Sequence, residues 1–187
     1  MPERFFASDH HFGHANILNF TRADEVTPVR SFASVEEMDE HMIERHNSVV
    51  GPNDRVYFLG DLAIPRRGLQ QVKRLNGKKR LIMGNHDVFK NKDYYDCGIE
   101  ILGAFRKFDD FVVTHIPVHS DSISKRWFRN VHGHTHTNNV RLPRGVDART
   151  GEILYSDKAD PRYVCVCVEQ LDDYTPIHID DLRKRFK

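Results

Sequence analysis

Five times within the first 136 residues, a short apolar run gives way to a loop carrying aspartate, histidine or asparagine. This repetition constrains the fold more than any other feature of the chain. Arg4 to Ala7 leads to Asp9 and His11, and Val56 to Leu59 leads to Asp61. Leu81 to Met83 leads to Gly84-Asn85-His86-Asp87, Phe111 to Thr114 to His115, and Asn130 to His132 to His134 and His136. Runs this short and this apolar read as strands covered on both faces. Helical signals lie between them. Ser34 and Glu37 form a capping box, after which Val35, Met38, Met42 and Ile43 recur at helical spacing to Asn47. Pro65 to Leu75 predicts a second helix, stopped by Asn76-Gly77, and Asn16 to Phe20 the start of another. Strand, helix, strand alternation through residue 83 favours parallel pairing with right-handed crossovers.

Beyond residue 83 the texture changes. Ala104 to Phe108 and Phe111 to Thr114 read as a hairpin turning at Asp109-Asp110. Arg141 to Pro161 reads as a long excursion rich in glycine, proline and charge, either mobile or functional. Tyr163 to Val168 is the last clear strand, Pro176 to Ile179 a further one, and Asp181 to Lys187 a basic helical tail. With 187 residues, 39% of them hydrophobic, the expectation is one domain over residues 1–187. The architecture expected is α/β, a layered sheet core with helices outside.

The 28 Lys and Arg balance 27 Asp and Glu, which gives no global argument for a polyanionic partner. No apolar run reaches the roughly 20 residues of a membrane span, and Met1-Pro2-Glu3-Arg4 runs straight into the first strand. The expectation is a cytoplasmic protein without membrane partners; its oligomeric state is left open. Three cysteines, Cys97, Cys165 and Cys167, form no CxxC pair, which argues against a disulfide framework or a thiolate zinc site. Cys165 and Cys167 alternate with valines and are expected to pack on one face of a strand.

Twelve histidines direct attention to metals. Asp9, His11, Asp61, Asn85, His115, His134 and His136 all fall at predicted strand ends, which converge in an α/β sheet. Oxygen and imidazole donors without thiolate suit manganese, iron or zinc in an open geometry. Seven donors exceed the needs of one ion and suit two ions about 3.5–4 Å apart that share a carboxylate. Two divalent cations outweigh two carboxylates, so the centre attracts anions such as phosphoesters, and it activates water for hydrolysis.

In this order, Asp9-His10-His11, Gly60-Asp61, Gly84-Asn85-His86-Asp87, His115 and Gly133-His134-Thr135-His136 resemble the signature blocks of the calcineurin-like metallophosphoesterases, in the compact single-domain form common in bacteria and phages. The resemblance covers residues 4 to 136. It implies a four-layer αββα sandwich of two mixed sheets flanked by helices, with a dinuclear site at the strand ends. It also implies Asp9, His11 and His136 on one metal, Asn85, His115 and His134 on the other, and Asp61 bridging. His86 would face the ester, stabilising the transition state or protonating the leaving oxygen, so that His86, Asp61 and Asn85 form the catalytic set around a bridging hydroxide. Manganese is the foremost cofactor implied, with zinc, iron, nickel or magnesium as alternatives.

Two departures narrow the resemblance. The tyrosine that follows the bridging aspartate in purple acid phosphatases is replaced by Ile64, and the longer aspartate-arginine block of the protein phosphatases is absent from Gly60 to Arg66. The activity implied is hydrolysis of a small or cyclic nucleotide or similar diester. A small nuclease, a phosphomonoesterase and a non-catalytic metal-binding scaffold are the alternatives, and the retained His86 favours catalysis. His14 and Asn16 overhang the site as candidate substrate contacts, whereas His10 and His132 read as structural. His41, His46, His119 and His178 read as surface or satisfied positions. The basic residues between Arg66 and Arg80 read as a solvated face or, alternatively, as a nucleic-acid contact.

Overall fold

The computed structural model describes residues 2–123 and 127–186; Lys187, the end of the expected basic tail, lies outside them. The chain begins with β1 (Arg4–Ala7), whose loop ends in a 3-10 turn, Ala15–Asn19, where a helix start was expected. The first long helix, α1 (Val35–Val49), follows the capping-box reading closely: the Ser34 side chain accepts from the Glu37 N–H, and Met38, Met42 and Ile43 are buried. Then come β2 (Arg55–Phe58), α2 (Arg66–Gln71), β3 (Lys78–Ile82), α3 (Asn91–Tyr95) and β4 (Ile99–Gly103). The predicted second helix is shorter than expected, because after Gln71 the chain tightens into a 3-10 turn before Leu75. α3 and β4 escaped the sequence reading; five residues are too few to display a period.

The second half contributes β5 (Phe105–Lys107), β6 (Phe111–Thr114), β7 (Arg129–His132), β8 (Arg141–Val146) and β9 (Ile153–Ala159). It closes with β10 (Tyr163–Cys165), β11 (Ile177–His178) and α4 (Ile179–Lys184). Residues 141–161, expected as an irregular excursion, instead fold into the β8–β9 hairpin. Its residues are mostly exposed and its register shifts around Pro143 and Gly145, so it lacks the alternation that marks a strand in sequence.

Two mixed sheets carry the molecule, as expected. The first runs β11-β1-β2-β3-β4, with β1 to β4 parallel and β11 antiparallel at the edge; the second runs β10-β7-β6-β5, with only β5 antiparallel. Phe6 of β1 stacks on Tyr57 of β2 at 5.2 Å and meets Phe111 of β6 edge-on at 5.9 Å, joining the sheets face to face. Phe111, Val113, Val131 and Val164 point into this shared core, while Val112, Thr114 and Asn130 belong to the opposite face of the second sheet. Asn130 and the Tyr163 hydroxyl hold Val118 against that outer face. Among the described residues, no helix is long and apolar enough to cross a membrane.

Parallel order brings the C-terminal ends of β1, β2 and β3 to one edge, and the ends of β6 and β7 meet them there. The loop after β1 is tied to the loop after β2 by Asp9 N–H to Gly60 O, 3.0 Å, and by His11 N–H to Asp61 O, 3.0 Å.

Candidate metal centre

Three backbone features let the loops after the strands approach one another. Asp87 accepts from the N–H groups of Asp61, Leu62 and Gly84 at 2.7, 3.1 and 2.9 Å, clamping the β2 loop to the β3 loop. Burial raises the Asp87 carboxyl against the pull of these donors. A side chain at Gly84 would lie 2.2 Å from Asp61 Oδ1, and one at Gly133 would lie 2.4 Å from Asp9 Oδ2, so both sites require glycine. Asp9, His11, Asp61, His134 and His136 all have left-handed backbone, with φ between 48° and 68°. Five of the seven candidate ligands thus sit in a conformation that L-residues rarely adopt and that concentrates at functional sites.

The two oxygens of Asp9 differ sharply. Oδ2 receives the Ser8 hydroxyl at 2.5 Å, the His134 N–H at 2.8 Å and the Cys167 thiol at 3.1 Å. Oδ1 is buried without a partner, as is Nε2 of His11 at 3.8 Å from it. His136 Nε2 also lies 3.8 Å from Asp9 Oδ1. Burial would raise the Asp9 carboxyl, but the imidazoles of His11, His115 and His136 and the Ser8 hydroxyl hold it well below the usual carboxylate range. A buried carboxylate oxygen and imidazole nitrogens that converge across 3.8 Å without hydrogen-bond partners are an arrangement a cation satisfies.

A second cluster joins Asp9 and Asp61 to His115. Asp61 Oδ1 accepts the His86 N–H at 2.9 Å, while Oδ2 lies 3.8 Å from His11 Nε2 and 3.5 Å from His115 Nε2, between the two clusters. His115 Nδ1 is 2.7 Å from Leu59 O and donates to it, leaving a lone pair on Nε2 of the neutral ring. That nitrogen faces Asn85 Oδ1 at 2.8 Å, so again two acceptors converge on one point. His134 meets the His115 ring edge-on at 5.0 Å, and its backbone is bound through Asp9. Two overlapping groups, Asp9, His11 and His136 and Asp9, Asp61 and His115, are thus each able to hold a metal ion.

Sequence reading missed the supports behind the first cluster. Arg30, 1% exposed, donates to the carbonyl oxygens of Asp9 and His10 and pairs with Glu169 at 2.7 Å. Glu169 in turn holds His136 Nδ1 at 3.0 Å, which turns Nε2 toward Asp9. Burial works against charge on both partners, yet Arg30 and His136 lower the Glu169 carboxyl and Glu169 raises His136. Only Ser8, adjacent to Asp9, had a local signal; Arg30 and Glu169 are 139 positions apart. Cys167 shares with Cys165 the face opposite the core valines, but its thiol serves Asp9.

The imidazole of His86 is exposed and lies 5.6 Å from that of His11, ring centre to ring centre. His14 lies 5.7 Å from His11, and burial beside that ring lowers its pKa. Asn16 is exposed and makes no side-chain hydrogen bond among the described residues. His10 turns away, stacking on Phe12 at 5.3 Å, and burial pushes its pKa down to about 3. Within the basic stretch, Arg66, Arg74 and Arg80 pair with Asp93, Glu40 and Glu100, the pattern of a solvated face.

No family model matches the chain. In solved structures, the chain is similar to a protein of unknown function, AQ665 from Aquifex aeolicus, at 24% identity and TM-score 0.67, covering 98% of this chain and 99% of that one. It is also similar to the Pseudomonas putida nuclease MPE, at 20% identity and TM-score 0.50, covering 81% and 67%. These likenesses show a shared fold. In sequence, the chain is 30% identical to the Gene 66 protein of Mycobacterium phage L5 over 134 residues, 65% of this chain and 58% of that protein. It is 34% identical over 145 residues to the uncharacterized protein MJ1445 of Methanocaldococcus jannaschii, covering 75% of this chain and 73% of that protein. At that identity and coverage, the chain belongs to the same family as MJ1445.

Proposed function

We propose that the protein is a metal-dependent phosphoester hydrolase of the calcineurin-like type, acting on diesters. The observation that carries the reading is the pair of donor clusters sharing Asp9, in which ligand-type oxygens and imidazole nitrogens converge and Asp9 Oδ1 and His11 Nε2 are buried without a partner among the described residues. Asp9, His11 and His136 would hold one divalent cation, Asn85, His115 and His134 the other, and Asp61, with Oδ2 between His11 and His115, would touch both. Manganese suits this oxygen and imidazole set, as do zinc and iron. When bound, such a pair supplies Lewis acidity toward a phosphoryl oxygen and makes water a nucleophile near neutral pH.

The remaining steps belong to the chain's own residues. Asp61 fixes the His86 main chain, which leaves the exposed imidazole free to meet the ester and give a proton to its leaving oxygen. Glu169 and Leu59 O set the orientation of His136 and His115 before substrate arrives. The diester preference rests on two cavities that flank the clusters. One, of about 620 Å³, touches Asn85 and His115; the other, of about 730 Å³, touches His134 and His136. A diester has a substituent for each, whereas a monoester leaves one empty. One fold neighbour is a nuclease by name, which places nucleic-acid diesters in the test panel.

The test is metal-stripped protein reloaded separately with Mn, Zn, Mg or Ni and assayed on bis(p-nitrophenyl) phosphate, p-nitrophenyl phosphate and a short oligonucleotide. Metal-dependent turnover with a higher kcat/KM for diester than for monoester is expected. Two ions bound without turnover of any phosphoester would instead indicate a scaffold.

A further inference from the structure

The cavity beside Asn85 and His115 differs in character from its counterpart. Its walls are apolar, built from Phe105, Val112 and Trp127, with Thr114 and His115 at the strand end. The opposite cavity is mixed, with Ile17, Phe20 and Val29 beside Arg22, Glu25 and His136. Phe105 is 56% exposed and its ring lies 6.4 Å from that of Trp127, at 58°. Phe105 is one of several exposed large apolar residues, and its place in the cavity beside Asn85 and His115 sets it apart. Trp127 Nε1 is withdrawn from solvent and has no hydrogen-bond partner among the described residues. The wall thus offers two aromatic side chains within reach of a group attached to a phosphate held at Asn85 and His115.

We infer that this cavity is the subsite for a planar aromatic substituent of the phosphoester, an aryl group or a nucleobase, packed against Phe105 and Trp127. The inference rests on the phosphoester reading and adds the chemical class of one substituent. The occupant is argued from three observations: the volume of about 620 Å³ accepts one ring system, the lining is aromatic, and the cavity is continuous with two of the candidate ligands. Ring-on-ring packing favours a flat substituent over an alkyl chain of equal area.

Trp127 is the only tryptophan in the chain, so intrinsic fluorescence reports this wall directly. Mn-loaded protein is titrated with phenylphosphonate, thymidine 5′-monophosphate and methylphosphonate, following Trp127 emission and, in parallel, heat of binding. The two aromatic ligands are expected to shift the emission and to bind about tenfold more tightly than methylphosphonate. Tighter binding of the nucleotide identifies a nucleobase subsite, and tighter binding of phenylphosphonate an aryl subsite. Phe105→Ala, at an exposed edge-strand position, is expected to lower aromatic affinity about fivefold and leave methylphosphonate unchanged. Ala104→Phe, which narrows the cavity from its exposed rim, should act in the same direction. Equal affinity for all three ligands, with unmoved emission, would overturn the subsite and leave the phosphoester reading standing. Failure of every phosphonate and phosphate to bind would overturn both.

Discussion

The two halves of the centre are built by different means. The Asp9, His11, His136 half is backed by buried partners: Arg30 and Glu169 behind His136, and Ser8 and Cys167 on Oδ2 of Asp9, leave Asp9 Oδ1 and His11 Nε2 unpartnered among the described residues. The Asn85, His115, His134 half is more open, with Asn85 and His134 exposed, and its buried ties are His115 Nδ1 to Leu59 O and the His134 N–H to Asp9 Oδ2. A donor set frozen by buried partners favours one geometry and binds tightly; a set on exposed side chains can rearrange as substrate arrives. The first half is suited to retaining its cation. The second, with the apolar cavity at its edge, is suited to meeting the ester.

Four experiments test that division. The largest effect is expected from Asp61→Ala, since Asp61 touches both halves: turnover should fall by at least about a thousandfold, with calorimetry showing fewer than two ions bound. Were both ions retained with full activity, the division itself would collapse. His86→Ala should lower kcat by about a hundredfold while both ions stay, because the imidazole acts on the ester and not on the halves. Unchanged kcat across several diesters would remove His86 from the chemistry.

A third experiment separates the site from the frame beneath it. His46 stacks on Phe58 of β2 at 5.9 Å, and burial pushes its pKa down to about 4. A histidine held neutral in this way adds stability above its unfolded value of about 6.5, and that stability is lost as pH falls toward about 4, amounting to about 3 kcal/mol in all. Asp39, which grips the Gly13 N–H, opposes it: burial raises this carboxyl to about 6, so its contribution is present in acid and is lost as pH rises through that value. His46→Gln should therefore flatten the acid limb of apo-protein urea midpoints between pH 6.5 and 4 relative to wild type. Parallel profiles would show that the frame does not respond through His46. The smallest effect is expected from Glu169→Gln, which keeps a hydrogen bond to His136 and loses the charge. One of the two ions should weaken about tenfold, the other remaining unchanged. Equal weakening of both would mean that the halves are coupled and not separately built.

The ligand loops were legible because each signal is local: an apolar run long enough to cross a sheet, then a polar residue where the run ends. The α1 capping box was legible for the same reason, since Ser34 and Glu37 are three residues apart and make their bond whatever the rest of the chain does. The β8–β9 hairpin was not, because exposed strands show no alternation of burial, and α3 was too short to show a period. Arg30 and Glu169 gave no signal at all. An arginine in a polar stretch looks like any surface cation until the fold places a carboxylate and two carbonyl oxygens around it.

Taken alone, the amino-acid order settled the strands that carry the candidate ligands and which donor residues stand at their ends, because burial, turn chemistry and capping act over a few neighbouring residues. The tertiary structure decided how those ends meet: that Asp9 keeps one oxygen bare, that Glu169 turns His136, and that an apolar, aromatic wall flanks one half of the centre and a mixed wall the other. Those outcomes depend on strand order and sheet packing, which bring together residues more than a hundred positions apart and which no short window of sequence contains.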